Sequence, residues 1–426
     1  MLHLRNVLIA LFVLPTVVGC TSPGPAAASP TPAPAIAEAG AGASAEPQAQ
    51  APPDDPAPAA EPAPAAEPAV PVVVEGSGES DGSTAAEASA PVEQAPVAAA
   101  PGAFDAIALR AQIQSDPEPP EIIRNSHYWV SNESSHFLFR DTVQGVGGAY
   151  MGVGTDQNYL IAGWARSELV FMLDFDQQIA NTHDLYGIAF AHSTTPDEFL
   201  AIWSDDGPVR FEDIVPTTVD PERATELLRS FSWGGTTVYA RLRRIIRQYG
   251  ELGIPTFMTS QDDFDYWKQM WIDGRVIAVR GDLTADQAIQ DVAHALHQLN
   301  IPMRVVYTSN AEQYFEFLPS FRRNMLVLPF DETSWLLRTR PMASLGLAPD
   351  DEYHYSVQPG LNLQMWMAGS SVANAQRLMR QRSSTGVTGL SIIQAPLPSD
   401  ATPPPVAEAR WPEDMATPDI TPSPAP

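Results

Sequence analysis

The chain has 426 residues, a formal net charge of -27, 42 prolines and one cysteine. A single cysteine excludes a disulfide framework and any cysteine-based zinc cluster. The acidity excludes nucleic acid as the main partner, because phosphate binding needs clustered Lys and Arg. The prolines are uneven: 17 fall in 21–103 and 10 in 396–426, against 14 in 104–395. That division predicts two proline-rich tails around one globular body.

Residues 1–19 read as a signal peptide. Arg5 supplies the charged start, and the apolar run Val7–Leu14 is too short to span a bilayer. Val17-Val18-Gly19-Cys20 resembles the lipobox of bacterial lipoproteins. The resemblance implies cleavage before Cys20, a diacylglyceryl (palmitate-class) lipid on its thiol, and the membrane as a partner through that anchor. With Thr21 rather than an aspartate next, it implies the outer membrane of the cell envelope as destination. The alternative is a plain export signal with an incidental cysteine. Residues 20–103 are rich in Pro, Ala and Glu; 21–103 carry 11 acids and no Lys or Arg. Such a stretch cannot bury enough apolar surface to offset chain entropy, which predicts a disordered, self-repelling tether. The same composition returns in a disordered tail at 396–426.

The body, 104–395, holds 35 acids against 22 Lys and Arg, with no basic stripe. Four apolar runs end in turn residues and read as buried parallel strands: Ala149–Val153, Leu169–Leu173, Arg275–Arg280 and Met303–Thr308. Between the last two, Ile289, Val292, Ala293, Leu296 and Leu299 form the stripe of an amphipathic helix. Thr284 and Gln287 have capping-box spacing at its start. Residues 177–265 exceed one crossover and predict a helical insertion, with helices near Pro196–Trp203 and Val238–Tyr249. Gly234-Gly235-Thr236-Thr237 reads as a helix start. Tyr353–Gln358 and Gly389–Gln394 flank a helical stretch, Ser371–Arg382, as late strands. Strands alternating with helices predict an α/β, doubly wound domain.

The first strand runs into Gly152-Val153-Gly154-Thr155-Asp156-Gln157-Asn158. Glycines there permit a tight turn and close approach of a ligand to backbone, and an acid about 20 residues on binds ribose hydroxyls in Rossmann-type sites. Asp174 stands 22 residues after Gly152 and ends the second strand. Ligands of open α/β sheets collect outside the carboxyl ends of the strands, so Asp156, Asp174, Asp176, Asp282, Ser309 and Asn310 are expected around one crevice. Gln157 replaces the third glycine of the dinucleotide fingerprint. A nucleoside-binding crevice and an inherited geometry without ligand both remain open.

The loop GVGTDQNY, the later GDL and the run VYTSNAEQYF resemble the class I S-adenosylmethionine-dependent methyltransferase pattern. More closely, about 125–340 resembles an uncharacterised bacterial methyltransferase-like family. Its pattern G-V-G-x-[ED]-Q-N, a strand-ending acid, L-Y-x-x-x-F, G-D-[FL], Y-x-S-N-x-E-x-Y and N-x-x-x-L-P appears here in order. The matches are Gly152–Asn158, Asp174, Leu185-Tyr186 with Phe190, Gly281-Asp282, Tyr307–Tyr314 and Asn324–Pro329. The resemblance implies a Rossmann-like, methyltransferase-type fold and S-adenosylmethionine, or a related nucleoside, as small-molecule ligand. Gly152, Gly154, Asp156, Asn158 and Ser309 would then belong to the cofactor site, with Asp174 on the ribose and Asp282 on the adenine amino group. Asn310, Glu312 and Tyr314 would meet the substrate. Group transfer to an envelope acceptor is one expectation. The other is a non-catalytic lipoprotein that uses the crevice or the insertion for recognition.

Other residues carry weaker chemistry. His294 and His297 are three apart on a helix but lack an acid partner pattern, so no metal site is expected. His183 could reach the crevice as a base or serve packing, and Tyr353-His354-Tyr355 could line it from the far side. Trp203, Trp233, Trp267 and Trp271 fall in or near the insertion; core packing is the first reading and carbohydrate stacking the second. No Gly-x-Ser-x-Gly elbow and no phosphate loop occurs.

Overall fold

A computed structural model describes residues 104–122 and 126–396. The expected signal peptide 1–19, the expected tether with Cys20, and the expected tail beyond 396 lie outside the described residues.

Eight strands form one sheet: β1 (Ala149–Val153), β2 (Leu169–Asp174), β3 (Val276–Arg280), β4 (Met303–Tyr307), β5 (Trp335–Arg340), β6 (His354–Pro359), β7 (Ser383–Ser384) and β8 (Leu390–Ile392). Their order is β3-β2-β1-β4-β5-β6-β8-β7. β1 to β5 are parallel, β6 runs antiparallel to β5, β8 is parallel to β6, and β7 is antiparallel to β8. This is a mixed, mostly parallel, Rossmann-like α/β sheet. Its strand order reverses between β1 and β4, the place where such folds collect ligands.

Twelve helices are described: α1 (Ala106–Gln112), α2 (Arg140–Val143), α3 (Asp156–Ala165), α4 (Gln177–Ala191), α5 (Pro196–Ile202), α6 (Phe211–Thr218), α7 (Pro221–Glu251), α8 (Gln261–Ile272), α9 (Ala288–Leu299), α10 (Pro319–Val327), α11 (Gly360–Ala368) and α12 (Ala375–Leu378). Strand side chains alternate between two cores, as period-2 geometry requires. Tyr150, Val170 and Met172 pack with α3 to α8, whereas Ala149, Met151, Leu169 and Phe171 pack with α1 and α9 to α12. The central strands are therefore buried on both faces, which is why they read as unbroken apolar runs.

Several local expectations change. α4 to α8 form the insertion between β2 and β3, and it extends to Ile272 rather than to 265. Gly234 and Gly235 lie in the middle of α7, a 31-residue helix, instead of starting one. An added Cβ on Gly234 would sit 2.3 Å from Trp129 Cδ2, so the glycine is there to let Trp129 lie against the helix. The start of α9 is capped by Asp116, whose Oδ1 accepts from the Gln287 and Ala288 amides at 3.1 and 3.2 Å, and Thr284 makes no cap. Thr284 instead closes a turn on Asp282 Oδ1.

Candidate functional site

The turn after β1 is held by the amide side chains that follow it. Asn158 Nδ2 donates to the Gly154 carbonyl at 3.0 Å, and its Oδ1 accepts from the Tyr150 hydroxyl at 2.6 Å. Gln157 donates to the Val153 carbonyl and accepts from the Thr155 amide. The glycines make room for these amides: an added Cβ would lie 2.1 Å from Asn158 Oδ1 at Gly152 and 2.2 Å from Gln157 Nε2 at Gly154. Gly154 also has φ +91°, which a side chain would strain. His183, fully buried on α4, places Nε2 2.8 Å from the Gly154 carbonyl and Nδ1 3.2 Å from the Tyr159 hydroxyl. Burial lowers its pKa to about 4, so near neutrality the imidazole is uncharged and Nε2–H donates to the carbonyl.

Asp156 is fully buried in an ion pair with Arg241 of α7, Nε to Oδ2 2.7 Å, and its Oδ1 accepts from the Ser131 amide at 2.8 Å. Ser131 begins a strap, residues 131–136, that carries a feature the sequence pattern does not announce. Glu133 is 1% exposed. Its Oε1 accepts from the hydroxyls of Thr339 (2.6 Å), Ser309 (2.7 Å) and Tyr307 (3.1 Å). Its Oε2 accepts from Ser131 and lies 3.4 Å from His136 Nε2. Burial alone would raise this carboxyl, but His136 and the hydroxyls outweigh it and hold the pKa at about 2. The Ser134 and Ser135 amides donate to Asp351 Oδ2, each at 2.9 Å, and Asn132 donates to the Tyr353 hydroxyl. The strap therefore binds residues at or just beyond the carboxyl ends of β4 and β5 as well as the turn after β1, across the point where strand order reverses.

The expected crevice residues thus fall into two groups. Asp156 and Ser309 are engaged with the strap, while Asp174, Asp176 and Asp282 gather at the ends of β2 and β3. Asp174 is 8% exposed and accepts from the Asp176 amide at 3.0 Å. Burial raises its carboxyl to about 7; the Asp176 amide opposes the rise and the Asp176 carboxylate adds to it. Asp176 caps α4 through the Gln178 amide and lies 2.6 Å from His127 Nδ1. His127 stacks on Trp233, ring centroids 5.9 Å apart, and sits 5.1 Å from the Trp129 ring. Trp233 is 56% exposed, so an aromatic shelf stands beside the acid turn. The Asp282 amide donates to Asp116 Oδ2 at 2.9 Å, and burial raises the Asp116 carboxyl despite three amides donating to it.

The residues after β4 also divide. Asn310 is half-buried and Tyr314 is exposed, and Asn310 Nδ2 reaches the Tyr353 hydroxyl at 3.5 Å. Glu312 points inward, fully buried, 3.1 Å from Arg338 Nε and accepting from the Thr308 hydroxyl at 3.0 Å. His354 binds the Gly346 carbonyl and Ser391, and Tyr355 donates to Asp351. Trp203 and Trp267 are core residues, and the Trp267 indole donates to the Tyr159 carbonyl at 3.0 Å. His294 is buried on α9, and His297 is 3.0 Å from the Val327 carbonyl. Among the described residues no group of three His, Cys, Asp or Glu is placed to hold a metal ion. A cavity of about 360 Å³ lies between Phe137, Leu138, Trp335, Val357, Leu390 and Ile392; none of the acids above lines it.

A family model described as "Domain of unknown function (DUF7790)" matches residues 128–394, which include the strap and every strand of the sheet. No curated protein matches the chain.

Proposed function

The chain belongs to this family of unknown function, so its activity has to be argued from the site, and we propose a lipid-anchored envelope protein that binds a nucleoside-class ligand at the ends of β2 and β3. The observation that carries the reading is Asp174. A carboxyl that burial raises to about 7 weakens the fold whenever it is ionised, and a pair of ligand hydroxyls is what an ionised strand-end carboxylate would accept. The Trp233–His127 shelf offers an aromatic face for a base within reach of the same turn.

For S-adenosylmethionine, which the methyltransferase-like pattern implies, the fit differs between its two ends. Asp174 and Asp282 suit the nucleoside. Where the methionine part and an acceptor would lie, Gly152 and Gly154 accommodate Asn158 and Gln157, and Ser309 is turned onto Glu133. Recognition is therefore favoured over transfer. Group transfer retains one supporting observation: Asn310 and Tyr314 stay accessible beside the end of β4.

Calorimetric titration of the purified protein with S-adenosylmethionine and with adenosine tests the reading. Binding of either that is lost in Asp174→Asn is the expected result. Absence of binding by both ligands sinks it. Methyl transfer from labelled S-adenosylmethionine to envelope material would decide for the second reading.

A further inference from the structure

The interior at the end of β5 has more positive charge than it can pair. Arg338 and Arg340 are two residues apart and so project from the same face of the strand. Arg338 is 0% exposed and Arg340 7% exposed. Arg338 Nη1 donates to Gln358 at 2.8 Å, and its Nε stands 3.1 Å from Glu312 as an ion pair, although Nε and Nη2 make no hydrogen bond. Glu312 is also the carboxylate that acts on Arg340, and the other charged neighbour acting there is Arg338 itself. One carboxylate therefore faces two guanidinium groups. Arg340 Nε and Nη1 are buried without a hydrogen-bond partner, and Nη2 reaches only the Met342 sulfur, at 4.0 Å.

Burial lowers the pKa of both arginines, Arg340 included, without bringing a guanidinium anywhere near neutrality at physiological pH. A desolvated cation with two unused donors is among the more expensive things a core can hold. Two exits are available to a protein in that position: water, or an anion. The surroundings favour the anion. Exposed Tyr314 lies near Arg340, and His354 is its partner across the β5–β6 ladder, with the positive charge of Arg382 acting beside His354. Among the described residues no second carboxylate acts on Arg340.

We propose that the Arg340 guanidinium is the core of a binding site for a small oxyanion, a carboxylate or phosphate group, entered past Tyr314 and Met342 at the end of β5. Oxyanions match a guanidinium in both charge and hydrogen-bond geometry. This site stands apart from the Asp174 turn and does not depend on the nucleoside reading.

The test is thermal unfolding of the full protein in phosphate, in acetate and in chloride at matched ionic strength and pH. Wild type should melt several degrees higher in phosphate or acetate than in chloride, because an anion that binds only the folded state stabilises it. Arg340→Met, which removes the charge and keeps much of the length, should melt at or above wild type in chloride and show no anion response. Arg340→Lys, which keeps the charge, should retain part of the response if the Met variant fails to fold. Equal melting of wild type in all three salts overturns the proposal. So does an undiminished phosphate response in Arg340→Met, or in Arg340→Lys a complete loss while the fold is intact.

Discussion

Two buried carboxylates at the strand ends behave in opposite ways, and pH separates them. Asp174 has a folded pKa of about 7 against an ordinary 3.8, so the folded state binds its proton more tightly. Stability from this group is greatest at low pH and falls as pH rises between those values. Asp174→Asn should therefore stabilise by roughly 2–3 kcal/mol more at pH 8 than at pH 5, read by urea unfolding at both pH values. Wild type equal to or more stable than the variant at pH 8 contradicts the sign. Glu133 runs the other way, with a folded pKa of about 2 against 4.5. Its contribution is complete above about pH 4.5 and is lost as pH falls toward 2. Glu133→Gln, which leaves several hydroxyls and His136 facing an amide, should cost about 3 kcal/mol at pH 7. The cost should shrink on acidification over that window, and a difference from wild type that holds constant down to pH 2.5 would count against it. Of these two residues only Asp174 is legible in the sequence, because its place at the end of an apolar run follows from local pattern. Glu133 sits in S-N-E-S-S, which reads as loop, and its partners Tyr307 and Thr339 are 174 and 206 residues away.

Whole elements show the same division between local and distant causes. β1 to β4 can be found in the sequence because strands buried on both faces carry continuous apolar runs. β5, WLLRTR, cannot: its two arginines look like a solvated edge, yet Arg338 is fully buried against Glu312 and Gln358. The α9 start is a similar case, since its cap, Asp116, lies 172 residues before Ala288. The 31-residue α7 hides behind its own glycines, which cost about 1 kcal/mol each relative to alanine in a helix interior. Their surroundings differ, and that difference is testable by denaturant unfolding. At Gly250 an added Cβ meets nothing within 4 Å, so Gly250→Ala should stabilise by about 0.5–1 kcal/mol. At Gly234 it meets the Trp129 ring at 2.3 Å, so Gly234→Ala should destabilise in spite of the better helix propensity. It should also weaken ligand binding at the Asp174 turn, because Trp129 and His127 pack together. Stabilisation by Gly234→Ala would mean that Trp129 moves freely and that the shelf is not held by the helix.

At the scale of the molecule, the proposed envelope location requires that an acidic body be kept at a membrane. The body carries 35 acids against 22 Lys and Arg, and no described helix is long and apolar enough to cross a bilayer. An anionic lipid surface repels such a body, and it repels residues 21–103 as well, which carry 11 acids and no Lys or Arg. Attachment in the proposed function therefore rests on Cys20 alone. A single acyl chain binds a membrane only marginally, whereas a diacylglyceryl group supplies two, enough for stable anchoring without any protein contact. Cys20→Ser should accordingly shift the protein from the membrane fraction to the soluble fraction. The unfolding midpoint of the domain should stay unchanged, since Cys20 precedes the matched domain, 128–394, by more than 100 residues. High salt should not release the wild-type protein, because no electrostatic attraction holds it. Retention of Cys20→Ser in the membrane fraction would refute the anchor. Salt-dependent release of wild type would point instead to a charged partner at the surface.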